Sequence, residues 1–322
     1  MTIPDADTKA SVPVKLLEWL VASLPFFPAA INDANLIVGA QNNKAVQFQN
    51  GNLQVLPFIV SDGGLSAAVD VSSLGAIVGK TGNTQQQPAV VWFPLPLALP
   101  PAPIGVFVPT AINKNLNVVG SSLDAQVAFK WHDPFGYQAL IAPDVLKNHP
   151  TFATDINDNG YTAGFAEMPS EAFPIVWSPQ NVGSNPWHIV TARSHPHINS
   201  HGDMALIDGH QNVTVLHLNG LFHRITSIPD PVSVDGINDE GRIIGTSRVN
   251  GALRGWTFFN NSLVWLSPPH GAAAGAFVQP TGVNSCGNIV GSVLNQSGIF
   301  MSGVSFIKQL AFQCDNSVVV HK

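Results

Sequence analysis

Apolar positions along this chain fall in short runs, broken at close intervals by Asn, Asp, Ser and Gly. One phrase returns again and again: Ile or Val, then Asn, four variable residues, then two apolar residues and Gly. It is clearest at Ile31-Asn32-Asp33-Ala34-Asn35-Leu36-Ile37-Val38-Gly39. Other copies begin at Ile112-Asn113, Ile156-Asn157, Ile198-Asn199, Ile237-Asn238 and Val283-Asn284, with a degenerate one at Val71-Ser72. Their closing positions are Gly39, Gly79, Gly120, Gly164, Leu206, Gly245 and Gly291, spaced by 40, 41, 44, 42, 39 and 46 residues. Leu206 stands where the other copies have Gly.

Each repeat predicts four strands, here lettered A to D. Strand A enters the Ile-Asn pair, and a polar turn follows that suits a hairpin. Strand B is the apolar run that ends in Gly. Strand C is short and aromatic, as in Val90-Val91-Trp92, Ala128-Phe129-Lys130-Trp131 and Ile175-Val176-Trp177. Strand D closes the unit, as in Leu53–Leu56, Tyr137–Ile141, Leu221–Ile225 and Ser262–Leu266. Four antiparallel strands in roughly 42 residues is the size of a propeller blade. A blade cannot bury two apolar faces alone, and closing a ring buries them against neighbours. The expected fold is all-β: a seven-bladed β-propeller spanning 12–322 as one domain after a flexible 1–11.

The repeats resemble the HAF family of probable extracellular repeats, whose pattern reads Ala-x-x-Ile-Asn-x-x-Gly-x-Ile-Val-Gly followed by Ala-Phe-x-Trp. Ala111-Ile112-Asn113 with Ala128-Phe129-Lys130-Trp131 is a close copy, although Val127 stands where the family has His. The resemblance implies a propeller and often export. It implies no particular activity.

Two segments compete to close the ring. Val14–Leu20 and Val304–Leu310 both read as D strands, which makes one too many for seven places. One terminus is expected to complete the blade built by the other, with the surplus strand at an edge or near Val318–Val320. The Pro-rich run Phe93–Pro101 takes the place of a regular D strand in the second repeat, where it covers an edge or mediates an oligomer contact.

Composition narrows the function classes. Charged residues are 11% of the chain, the net charge is −6, and there are only 14 Lys and Arg, with no basic cluster. Nucleic acid and anionic membranes are therefore not expected partners. The N-terminus lacks a basic and then apolar leader, and Val12–Phe27 is too short and interrupted to span a bilayer. The reading is a soluble chain, cytoplasmic or secreted with its leader absent, and a monomer or weak homo-oligomer. Cys286 and Cys314 read as free, partly buried thiols, since spacing alone does not decide a disulfide.

The D–A and B–C connections share one end of a propeller, and here they read as long and unequal: 57–67, 99–109, 142–153 and 267–280, with 80–88, 166–174 and 247–254. Binding is expected at that end, at the channel mouth. The fifth repeat departs most from the pattern. It carries His195 and His197, two apart on an extended strand and so on one face. With His149, they are the candidate catalytic residues, and the pair is also the candidate for a divalent metal. Asp70, Asp155 and Asp235 precede the Ile-Asn pair, and with Arg193, Arg248 and His270 they make up the candidate ligand-binding set. The blander account is that such Asp residues hold backbone and such His residues are surface loops. Glu167 and Glu171 in one B–C loop, and Arg248 and Arg254 in another, read equally as groups that orient a polar ligand or as solvated loop charges. His201 and Cys286 belong to A–B turns at the opposite end. No organic-cofactor, phosphate-loop or nucleophile-elbow motif occurs.

Three functions fit. The first is binding of a small molecule or glycan at one site on the loop face. The second is a hydrolase or lyase with a His/Asp centre, metal-dependent or not. The third is a protein-interaction platform.

Overall fold

A computed structural model describes residues 19–57, 64–82, 89–93, 102–105, 107–122, 126–132, 136–187 and 190–308. They form seven four-stranded antiparallel sheets, and no helix occurs among them. The chain is a seven-bladed β-propeller. Blade four shows the plan: Thr151–Ile156, Thr162–Glu167, Ala172–Trp177 and Gly183–Ser184 are its strands A to D from channel to rim. Apolar clusters lie between successive blades, as where Val38 and Val90 meet Ala68 and Val71.

The ring is closed by the N-terminal segment. Trp19–Leu24 pairs antiparallel with Phe300–Lys308 and is the outermost strand of blade seven. Val304–Lys308 is thus strand C, not a second D strand, and the surplus disappears. Arg242 of blade six lays its guanidinium over Phe259 at 4.3 Å and Trp19 at 5.9 Å, which fastens the closing strand to the neighbouring blade. Val14–Glu18 and Val318–Val320 lie outside the described residues.

The repeat phrase now has a physical meaning. In six blades strand A carries a β-bulge opposite the glycine of strand B, for example between Ala153 and Asp155 opposite Gly164. The bulge drives a strand A carbonyl into the space a Cβ would need at that glycine, as Phe152 does at Gly164. Blade five has Leu206 instead. Its fully buried side chain packs with Trp187, Val190, Ala192 and Ile198, and strand A shrinks to His197–Ile198. The chain detours, and Ala192 bridges both Ala172 and Asp208.

The Asn of each phrase has two tasks. Its carboxamide oxygen closes its own A–B turn, and its NH2 donates to the equivalent carbonyl of the next blade. Asn113 bonds Asn157 at 3.0 Å, Asn157 bonds Asn199 at 2.8 Å, Asn199 bonds Asn238 at 3.2 Å and Asn238 bonds Asn284 at 2.8 Å. Asn284 bonds Asn32 at 3.1 Å, and Asn32 bonds Ser72 at 3.0 Å. Ser72 has no NH2 to pass on, so this belt is open only between blades two and three. Its hydroxyl still closes its own turn by accepting from Ala76 N–H.

Several local expectations change. The connections expected at 166–174 and 247–254 are tight hairpins: blade six runs Ile243–Val249 into Ala252–Phe259 through Asn250 and Gly251, both at positive φ. Strand D of blade two is Ala102–Gly105, paired to Ala89–Trp92, so the Pro-rich run precedes that strand and does not replace it. Residues 94–101 of that run lie outside the described residues. Cys286 is disulfide-bonded, not a free thiol. The sequence holds only one other cysteine, Cys314, which lies beyond the described residues.

Candidate functional site

Two polar sites gather the candidate residues. The first is a cavity of about 290 Å³ in the central channel, lined by the last residues of every strand A and by the A–B turns. Asp70, Asp155, His197 and Asp235 all face it. The first three hold the same place in their repeats, directly before the Ile or Val of the phrase, whereas Asp235 is the bulged residue of blade six. This corrects the expected location. The cluster lies beside the A–B turns, at the end opposite the D–A loops.

Two of these carboxylates hold the ring together. Asp70 Oδ2 accepts Ile112 N–H of the next blade at 2.8 Å, and Asp155 Oδ2 accepts Ile198 N–H at 3.0 Å. Asp155 also stands 3.6 Å from His197 Nδ1. Asp235 accepts from the Ser233 hydroxyl at 2.9 Å. Burial pushes the Asp70 carboxyl up to about 7, with the nearby Asp155 charge adding to it and the Ile112 N–H opposing it. Burial likewise lifts Asp235 to about 6, against the Ser233 hydroxyl and the His197 charge. Burial acts to lower His197, but the hydrogen-bonding and charge of Asp155, with Asp235 and Asp70 behind it, outweigh that and raise it.

These shifts set a pH dependence of stability. Asp70, Asp235 and His197 all bind their protons more tightly in the folded chain than in the unfolded one. Their stabilisation is complete below the unfolded values and is lost as pH rises through the folded ones. For Asp70 and Asp235 that window runs from about 4 to about 7. The thermal midpoint is therefore expected to fall between about pH 5 and pH 8. Asp70→Asn keeps an acceptor for Ile112 N–H and removes the charge. It should be more stable than the parent at pH 8 by about 1–2 kcal/mol, a figure discounted for channel water. Calorimetry at both pH values checks this, and an unchanged difference would sink the assignment.

The other candidates disperse. His195 leaves the channel cluster and stacks on Phe165 with ring centroids 5.6 Å apart; partial burial and the His197 charge hold it below its ordinary value. His149 sits in the turn after strand D of blade three, where its N–H bonds the Leu146 carbonyl at 3.1 Å. His270 is exposed in the loop before blade seven. Neither lies among the residues that line the channel. Among the described residues, no group of three His, Cys, Asp or Glu side chains is placed to hold a metal ion.

The second site is a groove of about 770 Å³ on the D–A and B–C face, across blades four to six. Arg193 and Arg248 enter it from blades five and six, and Glu167 and Glu171 from blade four. Its floor is tied by backbone bonds between connections: Ala192 N–H to Ala172, Arg193 N–H to Ile207 and Arg248 N–H to Asp230. None of these four charged side chains forms an ion pair with a described residue. Thr191, Gln211 and Asp230 also line it, and sequence reasoning did not single them out. Blade five also holds an ion pair between the buried Asp208 and the exposed Arg224, which no repeat pattern signalled.

No protein-family model and no curated protein sequence matches the chain. Solved structures are similar in fold. The propeller domain of Myceliophteria thermophila Cps50 (Swd1) matches with a TM-score of 0.60 at 7% identity, covering 90% of this chain and 99% of that one. A catalytically inactive virginiamycin B lyase from Staphylococcus aureus with quinupristin matches with a TM-score of 0.58 at 10% identity, over 90% and 99%. A prolyl endopeptidase structure matches with a TM-score of 0.59 at 11% identity, over 92% of this chain and 51% of that one. At such identities these likenesses show the propeller and nothing of its activity. Among the described residues, no helix is long and apolar enough to cross a membrane.

Proposed function

We propose that this propeller binds a polar small molecule or sugar that carries an anionic group, at the groove over blades four to six. The observation that carries the reading is the convergence of Arg193 and Arg248, without ion-pair partners among the described residues, on a floor made rigid by backbone bonds. Guanidinium groups bind carboxylate and phosphate with paired, charge-assisted hydrogen bonds. Glu167, Glu171 and Asp230, which also line the groove, discriminate against ligands that are anionic throughout. The HAF-type resemblance of the repeats supports an exported protein, and the disulfide at Cys286 suits an oxidising compartment.

Native mass spectrometry against sugar acids, sugar phosphates and amino acids tests the proposal. A hit should weaken about tenfold or more in Arg193→Ala and again in Arg248→Ala, since a hydrogen bond to a charged group contributes about 1.5–3 kcal/mol. A ligand that binds both variants as well as the parent would remove the groove from consideration.

One observation favours turnover as a second reading. The channel brings a carboxyl titrating near neutrality, Asp70, into one cavity with the Asp155–His197 pair. On that reading, His197→Ala abolishes a measured activity and leaves ligand capture at the groove intact. Full activity in His197→Ala would discard it.

A further inference from the structure

A third polar site lies between blades one and two; it adjoins the channel cavity through Asn32 and Ser73 and is separate from the groove over blades four to six. Strand C of every blade has a residue paired with the apolar residue just before the anchor position of strand B, facing the next blade. In blades two to seven that residue is Val91, Lys130, Val176, Val215, Thr257 and Ser305. All six are buried. In blade one it is Gln47, opposite Val38, and it is only partly covered. The junction that is packed at the other six blades is here an open cleft of about 490 Å³.

Among the described residues, no charged side chain lines the cleft. Gln47 faces Gln54 across strands C and D, and Gln49 faces Asn52, so four amides form one array. Gln47 donates to Gln54 Oε1 at 2.8 Å, and Gln49 donates to the Ala34 carbonyl at 2.9 Å. The Gln54 NH2 and the whole Asn52 amide have no partner among the described residues. The opposite wall is the A–B turn of blade two, which presents Leu74 at 69% exposure.

We infer that this cleft is a binding site for a neutral saccharide. Each amide offers a donor and an acceptor side by side, and a sugar hydroxyl is both. Leu36 and Leu74 supply apolar contact for the C–H face of a ring. A charged ligand would give up hydration here with no counter-charge to meet it. The volume falls within the ordinary range for small-ligand sites, about 300–1,000 Å³.

The test is isothermal titration of the full chain with neutral oligosaccharides of glucose, mannose and N-acetylglucosamine, with an uncharged peptide as comparison. At least one sugar series should bind, and Gln54→Ala should weaken it about tenfold. Gln47→Val restores the packing seen in blades two, four and five, so it should abolish binding while the thermal midpoint holds or rises. Arg193→Ala, at the other site, should leave sugar binding unchanged, which separates this inference from the one above. The proposal is overturned if no neutral sugar binds the parent at millimolar concentration, if Gln47→Val binds as well as the parent, or if only the peptide binds.

Discussion

Asn157→Ala is expected to lower the free energy of unfolding by about 3 kcal/mol, far more than a polar surface substitution costs. The Asn157 carboxamide oxygen accepts from Asn159 and Tyr161 N–H at 3.1 and 2.9 Å, and its NH2 donates to the Asn199 carbonyl of the next blade at 2.8 Å. Alanine strands these groups in a buried place. Asn157→Asp separates the two tasks, because a carboxylate still closes the turn but donates nothing to blade five. It should keep part of the lost stability at neutral pH. The converse change is Ser72→Asn, which supplies the missing link to the Asn113 carbonyl and should add about 0.5–1.5 kcal/mol. Urea unfolding of the three variants checks the series. A loss under about 1 kcal/mol for Asn157→Ala would mean that the belt contributes little to ring closure.

Gly164→Ala should destabilise by about 3 kcal/mol or more and could prevent folding outright. An added Cβ would overlap the Phe152 carbonyl and lie 2.6 Å from the Trp177 ring. Neither can retreat, since Phe152 is fixed by the bulge of strand A and Trp177 is fully buried with its N–H bonded to the Ile141 carbonyl at 3.1 Å. Gly51→Ala is the matched control. Gly51 is a turn glycine at φ 79° with open space around its Cβ, so the substitution costs only the strain of a left-handed backbone, about 1 kcal/mol. Thermal melts of the two proteins, or soluble yield if Gly164→Ala fails to fold, decide the matter. Equal behaviour would show that the bulge relaxes and that the anchor glycine is not a steric requirement.

These two positions explain why the fold is readable in one dimension. Ile-Asn and the closing Gly recur because every blade must make the same inter-blade bond and accept the same bulge. A constraint repeated around a ring leaves a repeated residue. The exception is legible too: Leu206 in the glycine place marks the blade whose strand A is cut to two residues. Ring closure is not legible, because Val304–Lys308 has the alternation of any outer strand and only pairing with Trp19–Leu24 identifies it as strand C.

The candidate residues are legible in the sequence, but they divide between two ends of the ring. Asp70, Asp155, Asp235 and His197 are visible as substitutions at the end of strand A, and the structure gathers all four. The long D–A loops mark the end that carries the Arg193 and Arg248 groove, whereas the Asp and His cluster lies at the other end, because residues next to the Ile-Asn pair must lie beside the A–B turns. Arg193 and Arg248, 55 residues apart in sequence, share a groove only because blades five and six are neighbours there. The amide cleft leaves only Gln at Gln47, an unremarkable residue until the equivalent places in six other blades are seen to be buried.

By itself, then, the sequence determined seven blades, their strand order and the positions where they differ, because hydrogen bonding and steric limits act locally and recur at a fixed interval. The tertiary structure alone decided which strand closes the ring, which charged side chains meet and which junction between blades stays open. Those outcomes depend on contacts between blades, and a contact between residues far apart in the chain leaves no periodic trace.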